Sequence, residues 1–381
     1  VSTQSTWGPQ LIFQNRTHLL PPQLPLFSLD PMSGQQSDSP SPDSLSKIQL
    51  AIHSLASIVS SLPPSLSSAA DPALALLHDP LSAALVSAHL RSPDSGVGDD
   101  PLCRWLYDTF HSSHPALRLV VLRFLPTLAG VYLSRVPLRR PLAGFEAVLL
   151  ALYAHETTAR DGHSITVTVP DLANPSIYHD AAVLAPPPSS PATPLASAAA
   201  SSNLHIGVLS PALEPHGTVR SARRARIVGV ALELYCSKIV QMPVGSKIDF
   251  CDFCRTWAGL DGEMYKDGDG DGDYCEPSGE GEERREGEVQ GRIPLPWELL
   301  RPALRILGHC LVGAGDGNGG GEVRQAAGKA CRSLHARAVH DVNPRAILAT
   351  QSLLRVGKIS MADARAGWDP TEIPSTTVIS L

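Results

Sequence analysis

The sequence lacks the marks of several protein classes. No apolar run reaches the roughly eighteen residues that a membrane-spanning helix needs, so we expect no such helix. The seven cysteines are odd in number and scattered, without the spacing of a secreted disulfide scaffold. They therefore indicate reduced thiols in a cytosolic protein.

The sequence also has no excess of basic residues, since its 31 Lys and Arg are outnumbered by 37 Asp and Glu. Residues 266–288 alone hold ten acidic and three basic residues, a net charge of −7, so the remaining chain stands near +1. A broad nucleic-acid-binding surface needs a clear basic surplus. The composition therefore argues against nucleic acid as a partner.

Composition divides the chain into a helical domain and polar segments. We expect residues 1–43 to be a disordered Pro/Ser-rich segment, 44–360 a helical domain, and 361–381 a tail. Three insertions rich in small or charged residues are predicted to interrupt the domain, at about 185–202, 261–291 and 314–321.

Helical periodicity dominates the predicted domain. Two Asp-Pro pairs, at Asp79 and Asp100, each predict an N-cap followed by proline at the first helical position. Pro126 is expected to kink a helix rather than end it, because the apolar pattern resumes beyond it. Apolar residues at steps of three or four predict the buried helix faces, which include Leu45, Ile48, Ile52, Leu55 and Val59, then Leu81, Leu85 and Leu90, then Leu117, Val121, Phe124, Leu128 and Val131.

Two short segments have a strand pattern instead. In "HSITVTVPDL", Ile165, Val167 and Val169 alternate with threonines, and "NLHIGVLSP" is a second candidate. We expect these segments to pair as a small antiparallel element. The predicted fold class is therefore mainly α, a multi-helix bundle or solenoid-like domain with one small β element.

The acidic stretch "KDGDGDGDYCEPSGEGEERREGE" resembles a calcium-binding loop. With Asp267 as the first ligand, Gly272 is correct but position 12 is Ser278. With Asp269 as the first ligand, Glu280 closes the loop but Tyr274 replaces the required glycine. Each register loses one essential residue, so the interpretation we favour is a solvated acidic insertion.

Histidine and cysteine patterns also fall short of a metal site. The "HETTA" at His155 has Ala159 where a zinc protease needs its second histidine. Cys251 and Cys254 form a CxxC with only Cys275 after it nearby in sequence, one ligand short of a structural zinc site. His309 and Cys310 lie in an amphipathic segment, where buried packing is the ordinary role. No metal, cofactor or catalytic residue is predicted, and we expect a protein that is not an enzyme.

A basic cluster precedes one apolar helix: Arg220, Arg223, Arg224 and Arg226. Such a cluster can contact anionic lipid headgroups or an acidic partner. The simpler interpretation is a solvated first helical turn. A lipid-surface module, like a divalent-cation module built on the acidic loop, is kept as an alternative function.

Several helical segments, in their order, resemble the hyccin family. They are "RFLPTLAGVYL", "FEAVLLALY", "NPSIYHD" and "VALELYCSKIVQMP", followed by "LPWELLRPALRILGHCL" and "ACRSLHARAVHDVNPRAILATQSLLRVGK", which resemble its plant members. The resemblance covers residues 100–358. Because several separate motifs recur in order, it is more specific than any one of them.

The resemblance implies a non-catalytic subunit of the plasma-membrane phosphatidylinositol 4-kinase alpha complex. Hyccins bind a tetratricopeptide-repeat scaffold that joins the kinase to a membrane-anchored adaptor. We therefore expect peripheral association with the plasma membrane through these partners, a second pool in the cytosol, and support of phosphatidylinositol 4-phosphate synthesis. The resemblance names no partner-binding residues, because its motifs match core helices as well as they match an interface.

Overall fold

The computed structural model describes residues 42–60, 62–112, 114–170, 204–259, 295–313 and 319–366. Within them the chain is mainly helical, as predicted, with one two-stranded antiparallel ribbon. The elements are α1 (Pro42–Ile58), α2 (Pro72–His78), α3 (Pro80–Arg91), α4 (Pro101–His111), α5 (Pro115–Arg123), α6 (Leu125–Arg135), α7 (Ala143–Ala159), β1 (Ile165–Pro170), β2 (Leu204–Ser210), α8 (Ser221–Ser237), α9 (Val244–Ala258), α10 (Trp297–Val312), α11 (Gly320–His340) and α12 (Pro344–Ala366).

Neighbouring helices bury one continuous hydrophobic core. Helix α4 packs against α1, α5 and α7, while α7 packs against α8 and α6 packs against α9. In the second half, α10 contacts α8, α11 and α12, and α11 lies along α9. Buried apolar side chains from Ile48 in α1 to Ala346 in α12 belong to a single cluster.

Aspartate caps set where several helices begin. The Asp79 carboxylate accepts a hydrogen bond from Ser82 N at 2.8 Å, and Asp100 Oδ1 accepts one from Leu102 N at 2.8 Å. Each cap precedes a proline at the first helical position, as the sequence predicted. Asp71 caps α2 in the same way, through Leu74 N at 3.0 Å.

Most of the predicted apolar positions are buried, Leu45, Leu85 and Val131 are half-buried, and one prediction was wrong. Ile48, Ile52 and Leu55 in α1 are buried, but Leu81 is 64% exposed. The prediction for Leu81 was wrong because the cap at Asp79 fixes the phase of α3. That phase turns Ser82, Val86 and Leu90 toward the core.

Pro126 divides the predicted helix instead of kinking it. Helix α5 ends at Arg123, α6 begins at Leu125, and the two meet at a bend of 43°. Proline lacks the N–H that would continue the helical ladder, and its ring clashes with the carbonyl one turn earlier. Phe124 N therefore bonds to Val121 O at 3.1 Å, and Leu128 N bonds back to Phe124 O at 3.0 Å.

Three boundaries differ from those drawn on the sequence, the first because α1 begins at Pro42, inside the predicted segment 1–43. Helix α11 begins at Gly320, inside the predicted insertion 314–321, and α12 continues past Met361 to Ala366. The last residues of α12 read MADARA, which are mostly good helix formers. The predicted N-terminal segment up to residue 41 and the predicted insertions 185–202 and 261–291 lie outside the described residues.

Two buried arginines, which the sequence did not single out, tie helices together. Arg123 Nη1 donates to the carbonyls of Leu76 and Leu77 at the end of α2. Arg135 Nη2 donates to Ser92 O at 2.6 Å, and Arg135 Nη1 donates to Ser95 O at 2.7 Å. Burial lowers the pKa of both guanidinium groups, and these hydrogen bonds to carbonyls offset part of the cost of burying them.

The described helices were also tested for length and hydropathy against a membrane crossing. No single one of them is long and apolar enough, and only the bent pairs α2–α3 and α5–α6 reach that length and composition jointly.

Candidate interaction surfaces

Of the candidate metal ligands, the structure describes His155, Cys251, Cys254, His309 and Cys310. His155 lies in α7 with its ring edge-on to Phe110, the centroids 5.3 Å apart, and burial lowers the pKa of its imidazole. The acidic loop and Cys275 lie outside the described residues. No group of three or more His, Cys, Asp or Glu among the described residues is arranged to hold a metal ion.

Four buried cysteines meet where α9, α10 and α11 pack together. Cys251 and Cys254 of the CxxC lie near Cys310 and Cys331, and all four are buried. A hydrogen bond with Cys310, together with burial, raises the pKa of Cys251. Burial raises the pKa of Cys331 to about 12. Sequence reasoning missed this cluster because its members come from three separate helices.

The β ribbon exposes apolar side chains. Thr168 pairs with Ile206 and Thr166 with Val208, and Ile206 and Val208 are 73% and 51% exposed. Val167 and Val169, at alternate positions of β1, are each 39% exposed. β-Branched residues at these positions favour the strand, but an isolated two-stranded ribbon is only marginally stable in water.

Polar contacts hold the ribbon on the helices. Arg301 of α10 donates from Nη1 to Val208 O at 3.1 Å and pairs through Nη2 with Glu233 of α8 at 3.3 Å. Burial raises the pKa of Glu233, although Ser210 and Arg301 oppose that shift. Leu213 N also bonds to Gly162 O at 2.7 Å, which joins the chain leaving β2 to the chain entering β1 at one end of the ribbon.

A shallow groove of about 500 Å³ runs along the surface between α1 and α4. Leu50, which is 70% exposed, stands beside it, and Trp105 closes its floor by donating from Nε1 to Ala51 O at 2.8 Å. Lys47, Asp99, Arg104 and Asp108 also line it, so both charge signs are present.

The predicted basic cluster lies at the start of α8. Arg220 is the exposed N-cap residue, and Arg223 Nη1 donates to His216 Nδ1 at 2.6 Å. Arg224 is half-buried, contrary to a fully solvated turn, because its Nε donates to Tyr132 Oη at 2.8 Å and its guanidinium stands over that ring. Arg226 is half-buried too.

Arg223, Arg224 and Arg226 line a second cavity of about 550 Å³, bounded by the end of α6 and the starts of α8 and α10. We call it the arginine cavity. Its lining is Leu133, Val136, Pro137, Ser221, Ala222, Arg223, Arg224, Ala225, Arg226, Pro296, Glu298 and Leu299. The sequence analysis identified the arginines but not the cavity, because the other walls of the cavity come from distant parts of the chain.

Comparison with protein families identifies the family of this chain. A family model described as Hyccin matches residues 67–377, well over half of the chain. The match starts before α2 and takes in the other elements described up to α12, including the ribbon and the arginine cavity.

Proposed function

Since the chain belongs to the hyccin family, we propose that it is a non-catalytic accessory subunit that binds a tetratricopeptide-repeat scaffold. Through that scaffold it supports the recruitment and stability of phosphatidylinositol 4-kinase alpha, and hence phosphatidylinositol 4-phosphate synthesis. A membrane-anchored adaptor completes the proposed assembly. The chain then cycles between the cytosol and the cytoplasmic face of the plasma membrane.

The apolar ribbon is the observation that supports a protein partner. Contiguous exposed apolar surface on a soluble domain commonly marks an interaction site. Ile206 and Val208 are adjacent on one face of the ribbon, and both are more than half exposed. A partner that covers them removes apolar area from water and stabilises a ribbon that two strands alone hold weakly.

Such binding stabilises both proteins by mass action. A partner that binds only the folded chain adds a stabilisation of RT ln(1 + [L]/Kd), which is about 2.7 kcal/mol at a hundredfold excess over Kd. An accessory subunit without catalytic groups can therefore control how much folded scaffold and kinase a cell contains. This is the mechanism proposed here for the chain.

The test is affinity purification of the tagged chain from its own cells, with the bound proteins identified by mass spectrometry. The wild type is compared with I206D/V208D, which places two charges on the ribbon, and with V240D. Val240 is 79% exposed on the short turn Ile239–Gln241, outside the ribbon, and is the matched control.

We expect the lipid kinase and its repeat scaffold with the wild type and V240D, and at least tenfold less of both with I206D/V208D. Equal recovery with I206D/V208D would place the interface elsewhere. If a folded wild-type bait recovers neither protein, the proposed function is wrong.

A further inference from the structure

We propose that the arginine cavity binds the phosphate group of an organic phosphate monoester. This inference concerns a site within the chain and does not depend on the proposed scaffold. Three arginines line one side of the cavity, and apolar residues including Leu133, Val136 and Leu299 line the other. A ligand with a dianionic head and a carbon-bearing remainder matches both sides.

The charge inside the cavity is unbalanced. Arg223, Arg224 and Arg226 face a single lining carboxylate, Glu298. Arg139 and Arg140 follow the lining residue Pro137 in sequence and are exposed, so the surrounding surface is basic as well. A dianion entering the cavity would neutralise most of this excess.

Arg226 is the most available of the three arginines. It is half-buried and makes no hydrogen bond or ion pair with the described part of the chain. None of its side-chain nitrogens is among the described atoms that are buried without a partner, so they remain open to solvent and can bind a phosphate without first breaking a contact within the chain. Its planar donors suit the oxygens of a phosphate in a bidentate arrangement.

Arg224 is already oriented for this role. Its Nε is held by Tyr132 Oη at 2.8 Å, and Tyr132 in turn donates to Glu146 Oε1 at 3.0 Å. The two terminal nitrogens of Arg224 have no part in that hydrogen bond. A fixed guanidinium loses less side-chain entropy on binding than a mobile one.

Arg223 is more loosely held. Its Nη1 contacts His216, while Glu214 stands 4.0 Å from its Nη2, and half of its side chain is exposed. It can therefore turn toward the cavity at small cost, because exposed ion pairs contribute at most about 1 kcal/mol.

The first turn of α8 adds to the attraction. The N-cap residue Arg220 makes no side-chain capping bond, and the first turn contains no acidic residue. The positive end of this 17-residue helix is thus left without a capping side chain, in the wall of the cavity. This contribution supplements the arginines.

The test measures binding of the full chain to two sources of the same headgroup. Calorimetry with glycerol 3-phosphate probes a soluble monoester, and co-sedimentation with phosphatidylcholine vesicles containing phosphatidic acid probes the lipid form. Vesicles with phosphatidylserine at equal surface charge are the comparison, because their headgroup carries no phosphate monoester. Each measurement is made with the wild type, R226Q, R223Q and R220Q.

Arg220 is the matched control, since it belongs to the same cluster but does not line the cavity. We expect R226Q to weaken binding about tenfold or more and R223Q several-fold, with R220Q within about twofold of the wild type. Without ligand, the thermal midpoints of R220Q and R226Q should equal that of the wild type, and R223Q should differ only slightly, because the contacts of Arg223 with His216 and Glu214 are exposed.

The pattern across the two sources identifies the ligand. Binding to glycerol 3-phosphate alone indicates a soluble phosphate, and binding to phosphatidic acid vesicles alone indicates a membrane lipid. No binding to either source overturns the proposal. So does vesicle binding that R226Q and R220Q reduce equally, or that phosphatidylserine reproduces, since both results describe diffuse attraction to negative charge.

Discussion

Asp100 shows how one side chain organises a helix start. Its Oδ1 accepts from Leu102 N at 2.8 Å, and its Oδ2 accepts from Gly96 N at 2.6 Å, with the residue only 7% exposed. The same carboxylate thus caps α4 and closes the turn before it. Gly96 has φ of +86° and carries the Phe145 ring 2.4 Å from the place of a Cβ, so that turn requires glycine.

We therefore expect D100A to lower the free energy of unfolding by about 2–4 kcal/mol, as a lost cap together with an unpaired buried N–H. D71A is the matched control, because Asp71 is exposed and holds α2 by one bond to Leu74 N. It should cost about 1 kcal/mol or less. Urea denaturation measures both, and equal losses would show that the second bond of Asp100 contributes nothing.

Tyr132 gives a pH-dependent prediction. Burial, partly opposed by Arg224, raises the pKa of its phenol to about 12, against an ordinary value of about 10. The pKa of this phenol is higher in the folded chain than in the unfolded chain, so its protonated form favours folding. The stabilisation that it contributes is complete below pH 10. It is lost as pH rises from about 10 to 12.

Y132F removes both the titration and the bonds to Arg224 and Glu146. We expect it to be about 1 kcal/mol less stable than the wild type at pH 8, with the gap closing between pH 10 and 12. Y107F, at a tyrosine that is 40% exposed, is the control and should run parallel to the wild type. Urea denaturation midpoints measured over that pH range test this prediction. A stability difference between Y132F and the wild type that stays constant with pH would contradict the raised pKa of Tyr132.

At the scale of elements, the contact of α8 with α10 depends on a glycine. A Cβ at Gly229 would stand 2.5 Å from Glu298 O, closer than real Cβ contacts allow. The same crossing brings the starts of α8 and α10 together around the arginine cavity.

G229A should force the two helices apart and cost about 1–3 kcal/mol. G245A is its control, because Gly245 in the first turn of α9 is exposed and a Cβ there meets no atom within 4 Å. Alanine is the better helix former, so G245A should be neutral or stabilise by up to about 1 kcal/mol. Thermal unfolding compares them, and a neutral G229A would mean that the helices separate without loss.

Elements were predictable from sequence where a local signal decides them. The Asp-Pro starts of α3 and α4, the buried face of α1 and the pairing of the two strands all follow from patterns within a few residues. Pro126 was misjudged because the apolar period continues across the break, while the backbone hydrogen bonds do not.

Contacts between distant segments were not predictable. The arginine cavity was half visible, since its three lining arginines lie within four residues of one another, but its walls from α6 and α10 lie about seventy or more residues away in sequence. The contacts of Arg123 with α2 and of Cys310 with the CxxC also join residues that are far apart in sequence. No periodicity reports such pairs, because they depend on how the finished helices pack.

At the scale of the whole molecule, the described helices share one core although the chain is long. The cluster of buried side chains runs without interruption from α1 to α12. The contacts of α7 with α8 and of α6 with α9 bridge the segments on either side of the ribbon. A cavity opened at one end should therefore lower the stability of the whole core and not of one half.

L55A in α1 and L307A in α10 test this, because both leucines are 0% exposed. Each should cost about 2–5 kcal/mol, from lost burial and an incompletely filled cavity. In scanning calorimetry we expect one transition for the wild type and for both variants, with each variant shifting the entire peak downward. Because the core is shared, packing lost at one end should destabilise the other end as well. If L55A instead splits the peak and leaves a second transition at the wild-type temperature, the two ends fold independently.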